Sequence, residues 1–140
     1  MNNEAMMKRQ NDTIPTPVKL SALWAATMFC YVYGDYFGLY VDGKIEAVSQ
    51  GSMGPLGPAT PGVLVAVSLM MAIPACMVAL SVLLPPTVSR WSNIILGIAY
   101  TGIMALTIQG SQPFYFTLAI IEMILTFSIA VVAWTWPRAK

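Results

Sequence analysis

The sequence predicts an all-α fold, an integral-membrane antiparallel four-helix bundle with both termini on the cytoplasmic side. Three observations predict it. Hydrophobic residues make up 57% of the 140 and charged residues only 9%, with a mean hydropathy of +0.69; a water-soluble domain carries roughly a quarter charged residues because its surface faces water. The apolar residues gather into four segments, each near the ~20 residues that cross ~30 Å of hydrocarbon. Six of the seven basic residues (Lys8, Arg9, Lys19, Arg90, Arg138 and Lys140) fall on one side of such a bundle and Lys44 alone on the other, the asymmetry that marks cytoplasmic ends.

Residues 1–18 are polar, hold Glu4, Lys8, Arg9 and Asp12, and include Pro15 and Pro17. Proline discourages continuous helix, so this stretch reads as a flexible cytoplasmic tail before a transmembrane domain at 19–140. The spans fall at about 19–40, 63–84, 91–108 and 114–136. Punctuation supports each boundary. Pro61-Gly62 precedes the second span, Pro85-Pro86 ends it, Gly110 closes the third, Pro113 opens the fourth and Pro137 ends it. Short turns after the second and third spans force antiparallel neighbours. The connection 41–62 is longer; Lys44–Val48 reads as a helical turn at the interface, and Gly51–Pro58 as irregular coil. A cleaved signal peptide fits the first span poorly, because eighteen polar residues precede it and Asp35 lies within it.

Several function classes drop out on composition. A net charge of +1 offers no basic surface for phosphates, so nucleic acid is not a partner. Histidine is absent, which removes the commonest general base and metal ligand; no metal site, cofactor or haem is expected. Cys30 and Cys76 lie in apolar segments without CxxC spacing and read as buried free thiols. The aromatics Trp24, Trp91, Trp134 and Trp136 at one set of span ends, with Tyr36, Tyr40, Phe114 and Tyr115 at the other, read as interfacial belts.

Two carboxylates inside the spans are the informative residues. Counting about 1.5 Å per helical residue, Asp35 lies roughly 8 Å below the outer end of the first span and Glu122 roughly 12 Å below that of the fourth. An ionised carboxylate near mid-membrane costs about 2.5–3.5 kcal/mol, comparable with protonating a glutamate at pH 7, so composition leaves its charge state open. Partners follow from helical spacing. Thr27, Tyr31, Asp35 and Gly38 share one face of the first span, Tyr115, Ala119, Glu122 and Thr126 one face of the fourth, and Tyr100 stands near mid-membrane in the third. With Gln109 near its outer end, these groups define a candidate ligand site of Asp35, Glu122, Tyr31, Tyr100, Tyr115 and Gln109, an outward-opening polar cleft. The competing reading has the carboxylates only fix helix packing in a structural or accessory subunit. Carboxylate catalysis needs a defined separation and a substrate site that spacing does not supply, so the sequence points away from an enzyme. Gly34-x-x-x-Gly38 and Gly97-x-x-x-Thr101 are small-residue patterns that let helices approach closely, within the chain or across a homo-oligomer. Pro74 frees the carbonyl of Met70 inside the second span.

The runs Lys19–Ala26, Tyr31–Leu39, Met71–Ala75, Leu84–Pro86 and Arg90–Tyr100 resemble an uncharacterised bacterial family of four-span membrane proteins, a domain of unknown function. The resemblance covers nearly the whole chain. It implies a multi-pass protein of the bacterial inner (plasma) membrane and brings no catalytic residues with it. The function expected from the two carboxylates is binding or transport of a small polar or cationic solute, with the lipid bilayer as constant partner.

Overall fold

Prolines set the helix starts. The computed structural model describes residues 14–108 and 111–137, and each of its long helices has a proline in the first turn. These are α1 (Thr16–Gly38), α3 (Pro61–Leu83), α4 (Pro86–Thr107) and α5 (Pro113–Trp134), with the short α2 (Lys44–Ser49) between the first two. At those positions the missing N–H would find no intrahelical acceptor, and the fixed φ already suits a helix. This corrects the expected end of the tail, since α1 begins at Thr16 with Pro17 as an initiator instead of a breaker. It likewise moves the start of α4 from Trp91 back to Pro86. The expected flexible tail, up to residue 13, lies outside the described residues, as does Gln109.

Only Leu84 and Pro85 separate α3 from α4. The residue before a proline is driven to extended backbone, and Leu84 sits at φ −75°, ψ 151°, which turns the chain. The longer connection after α1 is more ordered than the expected coil. Beyond α2 it makes a 3-10 turn at Gly54–Leu56 and an isolated antiparallel bridge between Ser52 and Pro58. Gly51 and Gly57, at φ 75° and 79°, take the left-handed conformation that lets the chain double back. Hydrogen bonds Met53 N to Gly57 O and Ala59 N to Gly51 O, both 2.7 Å, then close the loop.

The long helices pack in a cycle, α1 on α3 and α5, α4 on α3 and α5. Pairings along each contact give opposite directions to neighbours. Ser81 meets Asn93 and Met70 meets Tyr100 between α3 and α4; Arg90 meets Trp134 and Thr101 meets Thr126 between α4 and α5. Arg90 Nη2 donates to Trp134 O at 2.8 Å, placing a cation at the negative end of the α5 dipole. Gly97 is the tightest point, where a Cβ would stand 2.9 Å from Thr126 O and 3.0 Å from Ala130 N. A Cβ at Gly34 would stand 3.7 Å from Leu118 of α5, whereas one at Gly38 would meet nothing within 4 Å. The small-residue patterns therefore act inside the chain at Gly97 and Gly34.

Among the described residues the protein is all-helical, and α3 and α5 are long and apolar enough to cross a membrane. Only 11% of the most apolar stretch of α3 and 33% of that of α5 is buried by the rest of the chain. The apolar surface of these helices thus faces outward, unlike that of a core helix in a water-soluble fold.

Candidate functional site

The polar interior divides into two parts. Near the start of α1, Asn93 joins three helices. Trp24 Nε1 donates to its Oδ1 at 2.7 Å and Ser81 Oγ to the same oxygen at 3.1 Å. Asn93 Nδ2 donates to Ser89 O at 2.8 Å and Ser89 Oγ at 3.3 Å, while Ser89 Oγ donates to Ser81 O at 2.9 Å. Both ends of the amide are satisfied and the cluster is buried, so it fixes packing and has no group left for a ligand. Trp24 corrects the expected aromatic belt: it is 0% exposed, a core residue held by its N–H. The sequence offered a hint in Ser89 and Asn93, two polar residues one helical turn apart on the same helix face.

Farther along, the Tyr100 hydroxyl is committed within the bundle. It donates to the Met70 carbonyl, the acceptor freed by Pro74, at 2.5 Å. A carbonyl available in principle to a ligand is occupied by a side chain of the neighbouring helix. Tyr100→Phe is expected to lower stability by about 1–3 kcal/mol, because Met70 O is then buried without a donor. In the Pro74→Ala background, where the restored backbone N–H at position 74 can pair with Met70 O, the same substitution costs less. Unfolding midpoints of the four variants in detergent check this.

The second part surrounds Glu122. α5 supplies Glu122 and, two turns earlier, Tyr115; α1 supplies Tyr31 and Asp35 one turn apart; α4 supplies Tyr100. α1, which carries Tyr31 and Asp35, packs on α5, which carries Tyr115 and Glu122, and α5 packs on α4, which carries Tyr100. Five of the six predicted residues lie on the three helices α1, α4 and α5 packed in this cycle, and Gln109 lies outside the described residues. Glu122 is 3% exposed, yet its carboxylate accepts no hydrogen bond among the described residues. The buried Tyr31 hydroxyl also has no partner there.

Two expectations change in detail. Asp35 is exposed on the protein surface, because α1 ends at Gly38 and leaves this residue about 4.5 Å from the helix end, within range of Lys44. Glu122 itself is 3% exposed, and the expected outward-opening cleft coincides with neither of two surface depressions. A depression of about 460 Å³ is lined by Ile14, Val18, Lys19, Ala22, Leu23 and Val132, and one of about 300 Å³ by the Leu39–Glu46 turn; neither is lined by Glu122. Among the described residues no group of three or more His, Cys, Asp or Glu stands ready to hold a metal. Cys30 and Cys76 are unpaired, with Cys76 exposed on α3 instead of buried.

Fold and site together define an all-helical protein with two membrane-length helices and a buried carboxylate among tyrosines. The chain belongs to the DUF6326 family, a family of unknown function, matched over residues 14–140. No curated protein and no solved structure matches it.

Proposed function

We propose that this is a four-span protein of the bacterial inner membrane, with both termini inside, that binds or passes a small cationic solute at Glu122. The observation that carries the reading is a carboxylate, Glu122, 3% exposed inside a helix long and apolar enough to cross a membrane, with a buried Tyr31 hydroxyl that has no partner among the described residues on α1, the helix packed against it. Burying either without a partner costs several kcal/mol, on the order expected for uncompensated polar groups, and such residues inside a span mark ligand or ion paths. A carboxylate that merely locked helices together would bond across an interface, as Asn93 does.

Placement of all four long helices in lipid is supported by the exposed face of α4, where Val88, Ile95, Ile98 and Leu106 stand, while its buried face mixes the polar Ser89 and Asn93 with Ile94 and Met104. A water-soluble helix keeps its polar residues for the exposed face. The basic residues then set the orientation, and Asp35 and Lys44 come to the outer surface. Homo-oligomerisation of so small a bundle belongs to the same proposal.

Charge displacement in proteoliposomes on a solid-supported membrane tests it, using jumps of Na⁺, K⁺, methylammonium or pH. At least one jump is expected to give a signal in the native protein that Glu122→Gln abolishes at equal reconstitution. Absence of a Glu122-dependent signal for every jump would overturn the proposal.

A further inference from the structure

We propose that the apolar groove between the start of α1 and the end of α5 binds one anionic phospholipid of the cytoplasmic leaflet, with an acyl chain in the groove and the headgroup on Lys19. The inference rests on the membrane placement and orientation proposed above and is independent of Glu122. Ile14, Val18, Lys19, Ala22, Leu23 and Val132 line about 460 Å³, within the range of sites that hold small molecules. Five of these side chains are apolar and the sixth carries a positive charge. Such a lining suits a molecule with a long apolar part and one negative group.

Helical spacing makes the groove. Leu20 and Trp24 turn inward from α1 and are fully buried. Val18 and Ala22, like Lys19 and Leu23, stand one turn apart, so the four form a strip on the neighbouring face. Ala22 carries only a methyl group, and the surface dips there between its longer neighbours. From Val18 to Leu23 the strip climbs about 7.5 Å along the axis, about half the depth of one hydrocarbon leaflet in a bilayer of ~30 Å. Trp134, two residues beyond Val132 on α5, is exposed, as is Trp91 at the same end of α4. Exposed tryptophans at span ends sit at headgroup level. The four-carbon stem of Lys19 lets its ammonium reach that level from the groove.

Charge selects the occupant. Among the described residues no acid stands at this end to pair with Lys19. Asp35 lies about 24 Å farther along α1 with Asp42 and Glu46 beyond it, and Glu122 lies about 15 Å back along α5 from Val132. Arg90, the other described cation at this end, is turned to Trp134 O. A second copy of the chain fits the groove less well. An isologous contact across it brings two Lys19 side chains together in apolar surroundings, a like-charge juxtaposition.

Native mass spectrometry tests this, on protein released from micelles holding equal amounts of phosphatidylglycerol and phosphatidylcholine with identical chains. Lys19 and Ala22 are both exposed, so substitutions there leave the core intact. The native protein is expected to retain one phosphatidylglycerol in preference to phosphatidylcholine. Lys19→Gln should lower that retention about fivefold, the equivalent of about 1 kcal/mol for one basic residue at an anionic headgroup. Ala22→Phe fills the groove and should remove the adduct although Lys19 remains. Lys44→Gln, in the connection after α1, should leave it unchanged. Equal retention of the two lipids, no loss in Lys19→Gln, or an equal loss in Lys44→Gln overturns recognition by Lys19. Loss in Lys19→Gln with none in Ala22→Phe overturns the groove. A lipid-free dimer that Ala22→Phe dissociates puts a second copy there and overturns the lipid. Each of these leaves the membrane placement standing; a chain that alkaline carbonate washes from its membranes overturns both.

Discussion

Gly97→Val is expected to lower the stability of the protein by about 3 kcal/mol or more, the upper range for overpacking a tight contact. Even the first added carbon would stand 2.9 Å from Thr126 O and 3.0 Å from Ala130 N, which are backbone atoms with little freedom to move. Relief requires α4 and α5 to part, and parting stretches the 2.7 Å link between Thr101 and Thr126 one turn away. Gly97→Ala sits between two opposed effects. Alanine favours the helix by about 1 kcal/mol, while the clash costs about 1–3 kcal/mol, so a smaller net loss is expected. Gly102, on the same helix, has nothing within 4 Å of an added Cβ. Gly102→Ala should therefore stabilise by up to about 1 kcal/mol. Unfolding of the three variants in one detergent gives the comparison; equal effects at 97 and 102 would contradict the close approach.

The contrast between these glycines shows where sequence reading stops. Both lie in an apolar run, and only the partner helix distinguishes them. Helix positions were legible because Pro17, Pro61, Pro86 and Pro113 punctuate the chain, although Pro17 reads as a breaker from sequence, since first-turn and interior prolines look alike without the helix start. The shared face of Tyr115 and Glu122 on α5 was legible from two-turn spacing, which holds wherever the helix is regular. Partner choice was not. Trp24 has the flanks of an interfacial anchor, and what makes it a core residue is an acceptor on α4, 69 positions away. Asp35 and Glu122 look equivalent in an apolar background. The end of α1 at Gly38 separates them, one at the surface and one in the interior.

Asn93→Leu is the second substitution with a large expected effect, a loss of about 3–5 kcal/mol, as for breaking a buried network by removing its centre. Leucine is close in size and more apolar, so a residue that only filled space would tolerate the change. Here it removes the acceptor of two donors, Trp24 Nε1 and Ser81 Oγ, and the donor to Ser89. Each stranded group costs about 1–3 kcal/mol because no water replaces the partner. The cost has a diagnostic structure. Trp24→Phe removes one of the stranded donors, so in the Asn93→Leu background it should cost less than in the native protein, with a coupling of about 1–3 kcal/mol. Additive losses from the two substitutions would mean that the 2.7 Å bond adds nothing and that Trp24 acts by volume alone. Glu122-dependent charge displacement should survive in whatever fraction of Asn93→Leu stays folded, because the Asn93 cluster shares no hydrogen bond with the Glu122 site. Stability and the proposed solute handling would then separate along the length of the same helices, with the interior near the start of α1 holding them together.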